Sequence, residues 1–356
     1  MSESVEGRTT SSRRPRRDLG EAAYSLAQAA RVGVYLAQYR ISDRLTKPVE
    51  PDRKVRGPGM DRVLTDLREL LARDWDNVRA GLYRAPHDLV TGPVRALARA
   101  RTYFRDLREV ERRRHARANS EVLTEETRGR YPRYYLQNFH YQSGGWLSRE
   151  SAKLYDHQVE VLFVGGSDAM RRQVLVPLHA FLKDRRTADT KLIDIACGTG
   201  RFLTFVKDNY PRLNVTALDL SEAYLEEARA ALSSWRRVDY LAAQAEAPGL
   251  PAESHDVATC TYLFHELPRE VRRQVAEETF RILKPGGLLL FMDSIQKGDE
   301  PDYDGLLDHF PVSFHEPYYA DYVASDLDAL FRNAGFEVEG VERHYFSRLM
   351  VLRKPA

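Results

Sequence analysis

The sequence is poor in cysteine, with only Cys197 and Cys260 among its 356 residues. Two isolated thiols cannot form a disulfide framework, so we predict a reducing compartment such as the cytoplasm. The chain also lacks any apolar run near the roughly 20 residues that span a bilayer, which predicts that no helix crosses a membrane. Its His, Cys, Asp and Glu residues show no metal-ligand spacing, so the sequence predicts no bound metal.

Charge is present but unevenly distributed. Residues 1–150 contain 30 Lys and Arg against 20 Asp and Glu, whereas residues 151–356 contain 24 against 32. This asymmetry predicts two parts with different surfaces. The basic stretch Ser11–Arg17 resembles an export signal, but Glu21 and Arg31 interrupt the apolar core that such a signal needs. Residues 1–18 are therefore predicted to be a disordered basic arm.

Residues 19–147 are predicted to form a helical N-terminal domain or lid. Helical spacing indicates one helix over Leu19–Leu45, a second after Gly57–Gly59 with Asp61 as its cap, and a third over residues 92–118. Basic amphipathic helices bind anionic surfaces, and contact with a membrane surface stays open. We favour mutual packing of the helices, and the alternating charges of the second helix argue against nucleic acid. On the first helix, the apolar stripe predicted to pack against its neighbours comprises Ala22, Ala23, Leu26, Ala29, Ala30, Val34 and Leu36.

An aromatic segment, Tyr131–Trp146, follows these helices and ends in Ser143-Gly144-Gly145. Its position just ahead of the second part of the chain has two compatible interpretations. It forms a lid or pocket wall over a ligand, or it is the interface between the two parts.

From residue 148 onward, strand and helix signals alternate. A helix capped by Ser148 and a second helix over residues 167–182 lead into a strand at Lys191–Ile195. Further strands are predicted at residues 214–219, 238–243, 256–263 and 288–292, with a closing pair after Gly335. This alternation predicts an α/β fold with a doubly wound, mostly parallel sheet and ligand sites at the strand C-termini.

A glycine turn follows the Lys191–Ile195 strand, with glycines at Gly198 and Gly200. The third glycine of a dinucleotide loop is replaced by Leu203, and no Lys-Ser/Thr pair follows, which excludes a triphosphate loop. Asp194 precedes the turn and Asp219 ends the next strand. An acid at the second position suits ribose hydroxyls, and an acid beside the turn suits a cationic ligand.

The segment Asp194-Ile-Ala-Cys-Gly-Thr-Gly200 resembles motif I of class I S-adenosylmethionine-dependent methyltransferases. The resemblance continues through four further motifs and covers residues from about 150 to 356. It is nearest to the ubiquinone/menaquinone-methyltransferase-like branch. It implies a Rossmann-like, seven-stranded methyltransferase domain over residues 148–356, with S-adenosyl-L-methionine as cofactor. The further motifs are Ala217–Ser221, Ala245-Glu246, Phe264–Pro268 and Arg281–Gly287.

The resemblance also implies roles for individual residues. Asp194, Gly198 and Gly200 would line the methionine part of the cofactor, within the turn that includes Ala196 and Cys197. Asp219 would hold the ribose, and Leu220, Gln244 and Ala245 would border the adenine. Phe264 and His265 would border the transferring methyl group, and Tyr155 would cover the cofactor. Cys197 is predicted to fill the loop rather than to act as a nucleophile.

The expected reaction is methyl transfer to a small, hydrophobic or aromatic acceptor at carbon or oxygen. A base is needed where the acceptor is protonated, and the candidates are His265, Glu266, His140, His315 and Glu316. The last two lie in a loop expected to be long, irregular and aromatic, near a strand end. The alternatives are a non-catalytic assembly factor that keeps the fold and an N-methyltransferase acting on a small amine.

Overall fold

The computed structural model describes residues 19–47, 57–89 and 92–356. The predicted basic arm, residues 1–18, lies outside the described residues. The helices of four or more residues in the described ranges are α1 (Leu19–Leu45), α2 (Met60–Arg79), α3 (Pro93–Ala116), α4 (Arg149–Leu162), α5 (Ser167–Gln173), α6 (Leu175–Leu182), α7 (Arg201–Asn209), α8 (Glu222–Ala231), α9 (Arg269–Ile282), α10 (Asp304–Ser313), α11 (Tyr319–Val323) and α12 (Leu327–Asn333).

Seven strands form one sheet, as the resemblance implied. They are β1 (Lys191–Ile195), β2 (Asn214–Asp219), β3 (Val238–Ala242), β4 (His255–Thr261), β5 (Leu283–Ser294), β6 (Glu337–His344) and β7 (Ser347–Arg353). The strand order is β3-β2-β1-β4-β5-β7-β6. Strands β1 to β5 are parallel, and β7 is antiparallel to both β5 and β6. The order reverses next to β1, which is where such sheets bind ligands.

The core lies on both faces of the sheet, because parallel strands covered by helices bury both of their sides. Leu192 and Ile193, adjacent on β1, are fully buried on opposite faces, in two separate apolar clusters. Helix α2 packs on the cluster that contains Ile193 through Val63, Leu67 and Leu70. The N-terminal helices therefore share a core with the sheet domain.

The buried face of helix α1 differs from the predicted one. Its predicted apolar stripe points largely to solvent, with Leu26 73% and Val34 49% exposed. The buried face instead carries polar side chains such as Tyr24 and Gln28. The Tyr24 hydroxyl donates to the buried carboxylate of Asp74, and Val32 and Leu36 pack on the core, so both hydrogen bonds and apolar contacts hold this helix.

Several predicted boundaries also change. Helix α2 is capped by Gly59 with no side-chain bond, so Asp61 is not its cap. The helix predicted over 167–182 divides at Val174 into α5 and α6. Strand β5 begins at Leu283 directly after α9, and the segment expected to be irregular contains α10 and α11.

The helix caps at Ser148 and Ser221 are confirmed, since each hydroxyl accepts a backbone N–H from the first turn of α4 and α8, respectively. Within the described ranges, no helix combines the length and apolar character needed to cross a membrane.

Candidate active site

The glycine turn between β1 and α7 forms the floor of a cleft at the C-terminal edge of the sheet. Ala196, Gly198 and Gly200 all have positive φ angles, of 56°, 55° and 74°. A Cβ built on Gly198 meets no atom within 4 Å, so this glycine leaves open space on the cleft side. Backbone can approach a ligand there because no side chain intervenes.

Gly200 packs against a helix instead of facing the cleft. A Cβ built on it comes within 3.1 Å of Ala228 and Leu232, at α8. It does not line the cleft. Its missing side chain lets the turn pack closely against a neighbouring helix.

Asp219 ends β2 and lines the cleft beside the glycine turn. One carboxylate oxygen accepts the Gly198 N–H and the other accepts the Ser221 N–H, each at 2.8 Å. Burial raises the pKa of Asp219 to about 6, although these backbone bonds oppose the rise. A carboxylate has about four acceptor positions, so both oxygens keep capacity for hydroxyl donors.

Asp194 lies behind the cleft wall rather than in it, and only 1% of its surface is exposed. Thr259 on the adjacent strand donates to its Oδ1 at 2.6 Å, while Oδ2 has no hydrogen-bond partner. Burial is the main cause that raises the pKa of Asp194 to about 7. An unpartnered buried carboxylate oxygen beneath the turn fits a ligand with a positively charged group.

Aromatic side chains form much of the rest of the cleft, which encloses about 900 Å³ including space open to solvent. Trp146 packs edge-on against Tyr155 and Tyr224 at centroid distances of 5.4 and 5.5 Å. The Ser221 hydroxyl donates to the Trp146 carbonyl at 2.5 Å, which ties the aromatic segment to α8. The lining aromatics are Tyr134, Tyr135, Trp146, Tyr155, Phe202, Tyr224 and Tyr262.

The side of the cleft assigned to adenine lies after β3. Leu220, Ala243 and Ala245 line it as neighbours of Asp219, while Gln244 does not. The adenine contact of Gln244 stays a prediction. Glu246 lines this side as well, and its Oε1 accepts the Tyr134 hydroxyl at 2.6 Å.

The opposite side of the cleft contains charged residues from α4 and α5. Tyr155 lines the cleft as predicted, and Asp156 beside it accepts the Thr199 hydroxyl at 2.9 and 3.0 Å. Arg171 also faces the cleft, with its guanidinium 5.5 Å from the ring centroid of Tyr262. A buried cation at this end suits a ligand carboxylate.

The segment after β4 separates the predicted catalytic residues. Phe264 is 1% exposed and packs on Phe291 and Phe331 in the core, outside the lining of the cleft. His265 does not line the cleft either, because its Nδ1 is held at 2.6 Å from Asp293 Oδ1. Glu266 does line the cleft.

The electrostatics around His265 and Glu266 determine the protonation state of each side chain. Burial alone would lower the pKa of His265, but Asp293 outweighs burial and the pKa rises to about 9. His265 is therefore a cation at neutral pH rather than a free base. Burial raises the pKa of Glu266 well above its usual range, and the nearby carboxylates add to the rise while His265 opposes it.

The other two histidines predicted as candidate bases, His315 and His140, also lie outside the cleft lining. His315 is half-buried and in contact with Gln137 and Asn119 through its two ring nitrogens, so its contacts are structural. His140 lies with its Nε2 2.9 Å from Glu316 Oε1. Although no metal spacing occurs in the sequence, the fold brings His140, Glu266 and Glu316 together, with one donor atom of each within 4.8 Å of the others.

Cys197 lines the cleft, and burial raises the pKa of its thiol well above the usual range. The thiol therefore stays protonated, in line with the predicted loop-filling role. The sequence did not predict Tyr224 and Tyr262 as cleft residues. Tyr262 follows β4 with a φ of 60°, so its position at a strand end was the available signal.

Comparison with known proteins adds three similarities. A family described as a methyltransferase domain matches residues 192–287. The ubiquinone/menaquinone biosynthesis C-methyltransferase UbiE of Methylobacterium nodulans is 30% identical over 184 residues, which cover 51% of this chain and 70% of that protein. The demethylmenaquinone methyltransferase of Lactococcus lactis is 29% identical over 173 residues, which cover 43% and 68% of the two chains.

Among solved structures, a SAM dependent methyltransferase from Aquifex aeolicus superposes with a TM-score of 0.41 at 17% identity, covering 58% of this chain and 99% of that one.

Proposed function

The chain belongs to the class I S-adenosylmethionine-dependent methyltransferases, near the ubiquinone/menaquinone branch, and on this premise we propose that it methylates a small hydrophobic or aromatic acceptor at carbon or oxygen. The chain is thus a methyltransferase, and S-adenosylmethionine is its cofactor. The acceptor is the proposed part. The observation that carries it is the aromatic wall of the cleft, which lines the same cleft as the glycine turn.

The residues of the cleft fit the cofactor. Asp219 would bind the ribose hydroxyls, because both of its oxygens keep acceptor capacity. The unpartnered Oδ2 of Asp194 would attract the ammonium group, and Arg171 would attract the carboxylate of the methionine part. Leu220 and Ala245 would border the adenine. When bound, the cofactor supplies an electrophilic methyl group on a cationic sulfonium.

The chain's contribution to the reaction is alignment in a site with little water. Tyr155, Trp146 and Tyr224 pack edge to face and close the cleft on the side of the N-terminal part. A planar acceptor would lie against this wall, with its reacting atom directed towards the floor of the cleft. Glu266 is the candidate base that faces the cleft, so we assign it the contact with a polar group of the acceptor.

Peripheral contact with a membrane would bring a lipid-soluble acceptor to the cleft, and the exposed apolar residues of α1, among them Leu26 and Val34, support this part of the proposal. It is separable from the methyl-transfer proposal, since a soluble acceptor would use the same cleft.

The test is methyl transfer to unfractionated cell material. Purified protein is incubated with methyl-tritiated S-adenosylmethionine and an extract, which is then separated into organic-soluble, polar small-molecule, protein and RNA fractions. We expect label in the organic-soluble fraction, and an Asp219→Asn variant is the control for dependence on this cleft. Label confined to protein or RNA would refute the proposed acceptor class.

A further inference from the structure

Beside the cleft, three side chains from distant parts of the chain converge. His140 belongs to the aromatic segment, Glu266 follows β4, and Glu316 lies between α10 and α11. One donor atom from each lies within 4.8 Å of the other two. Two ligands on opposite sides of a divalent cation lie about 4.0–4.4 Å apart when metal–ligand bonds are about 2.0–2.2 Å. The cluster is thus within a small side-chain shift of a coordination sphere.

Glu316 provides an independent indication that this place suits a cation. Its surface is 2% exposed, and neither of its carboxylate oxygens has a hydrogen-bond partner. A buried carboxylate without partners is costly and is ordinarily paired or bound to a metal. Its Oε1 lies 2.9 Å from His140 Nε2 without hydrogen-bond alignment. Adjacent ligands of an octahedral cation with bonds of about 2.1 Å are about 3.0 Å apart, which matches this contact.

The backbone at His140 is held in an uncommon conformation. His140 and Tyr141 have φ angles of 53° and 55°, in the left-handed region that non-glycine residues rarely adopt. The Arg113 guanidinium donates to the Tyr141 carbonyl at 2.8 Å, and the His140 N–H donates to the His315 carbonyl at 3.3 Å. Such over-determined strain is concentrated where a side chain must be aimed. Here it aims His140 at Glu316.

From these observations we propose that His140, Glu266 and Glu316 bind one divalent cation of the first transition row at the wall of the cleft. One imidazole nitrogen and two carboxylates form a mixed donor set, and the 2.9 Å spacing favours octahedral geometry, so Mn²⁺ is the probe of choice. Glu266 faces the cleft, so the cation borders it there. A consequence that rests on the proposed function is that an acceptor with a hydroxyl or carbonyl oxygen would complete the coordination.

The experiment measures metal binding by the full chain without cofactor or acceptor. Protein dialysed against a chelator is titrated with Mn²⁺ alone, and free Mn²⁺ is counted from its electron paramagnetic resonance signal. We expect one bound ion per chain. Glu316→Gln and His140→Gln should each weaken binding at least about 100-fold, because even residues behind the ligands contribute 10–100-fold.

The matched control is His115→Gln. His115 also contacts a glutamate, Glu111, with 2.8 Å between Nε2 and Oε1, but this pair is on the exposed surface of α3. It should leave Mn²⁺ binding unchanged. Thermal unfolding of each variant without metal checks folding. Glu316→Gln removes a buried carboxylate that accepts no hydrogen bond, so it should not lower the unfolding midpoint. If it does lower the midpoint, the Mn²⁺ affinity of His140→Gln decides whether the site binds the ion.

The proposal is overturned if the wild-type chain binds no Mn²⁺, or if both ligand variants bind it as the wild type does. Neither result bears on methyl transfer. Conversely, a chain that binds Mn²⁺ as expected but labels no small molecule would sustain the metal site and refute the proposed acceptor.

Discussion

Replacement of Asp194 by asparagine is expected to stabilise the protein and impair its binding of cofactor at the same time. The side chain is 1% exposed, and its Oδ2 lacks a partner. Asparagine has nearly the same shape and can still accept the Thr259 hydroxyl through its Oδ1. Asp194→Asn therefore removes a buried negative charge with little change in packing.

The size of the effect follows from the pKa, which rises from 3.8 to about 7. Each pKa unit corresponds to about 1.4 kcal/mol, so ionised Asp194 costs roughly 4 kcal/mol relative to the unfolded chain. Because the folded state binds more protons than the unfolded state between these pKa values, the stability of the wild type falls as pH rises from about 4 to 7. Asp194→Asn has no carboxyl group at this position and does not lose stability in this way. Its free energy of unfolding should exceed that of the wild type by almost nothing at pH 4 and by roughly 4 kcal/mol at pH 8.

Urea unfolding without cofactor, at pH 4.5, 6 and 8, measures this difference. Asp239→Asn, an exposed acid on β3, is the matched control and should show no such trend. Calorimetric titration then tests cofactor binding. The lost attraction between the buried carboxylate and the ammonium group of the cofactor should weaken S-adenosylmethionine binding roughly 10-fold or more. A variant less stable than the wild type at pH 8, or a difference that ignores pH, would refute the reasoning.

Three further predictions concern the turn, the wall and the charged pair. Gly198→Ala and Gly200→Ala both place a Cβ in left-handed backbone, at about 1–2 kcal/mol each, but only Gly200→Ala also makes a tight contact, 3.1 Å from Ala228 on α8. Chemical denaturation should show the larger loss for Gly200→Ala, and calorimetry the larger loss of cofactor affinity for Gly198→Ala. Trp146→Leu should lower kcat/KM for the acceptor about 10-fold or more in the labelling assay, since it opens the aromatic wall. Asp293→Asn should lower the pKa of His265 from about 9 towards 6.5, as followed by NMR titration of its ring.

Controls and contrary outcomes differ between these predictions. Trp235→Leu changes a tryptophan outside the cleft and should leave acceptor turnover unchanged. Equal loss of cofactor affinity in both glycine variants would contradict their separate roles. Wild-type turnover by Trp146→Leu would mean that the aromatic wall does not bind the acceptor. An unchanged His265 pKa in Asp293→Asn would mean that other groups hold its charge.

Local signals predicted the floor of the site well. The β1 strand and the glycine turn were visible because an apolar run and two glycines specify a strand and a tight turn within ten residues. Asp219 was found because it ends the next strand, and ligands bind at strand C-termini. The same reasoning did not separate Gly198 from Gly200, since only the packing of α8 tells them apart.

The parts that depend on distant contacts could not be predicted. The buried face of α1 includes Tyr24, which donates to Asp74, and Gln28, which donates to Tyr24, and no apolar periodicity reveals these bonds. Phe264 differs from its neighbour Glu266 in facing the core instead of the cleft, because the short turn after β4 directs them oppositely. The residues beside the cleft at positions 140, 266 and 316 meet through the fold alone.

Cofactor and acceptor are proposed to meet between the glycine turn and the aromatic wall. A crystal structure with S-adenosylhomocysteine would locate the cofactor in the cleft. We expect ribose hydroxyls within hydrogen-bond distance of the Asp219 carboxylate and the sulfur directed towards the side of the cleft that Glu266 lines. A ligand whose ribose lies away from Asp219, or whose sulfur is turned from Glu266 and the aromatic wall, would contradict it.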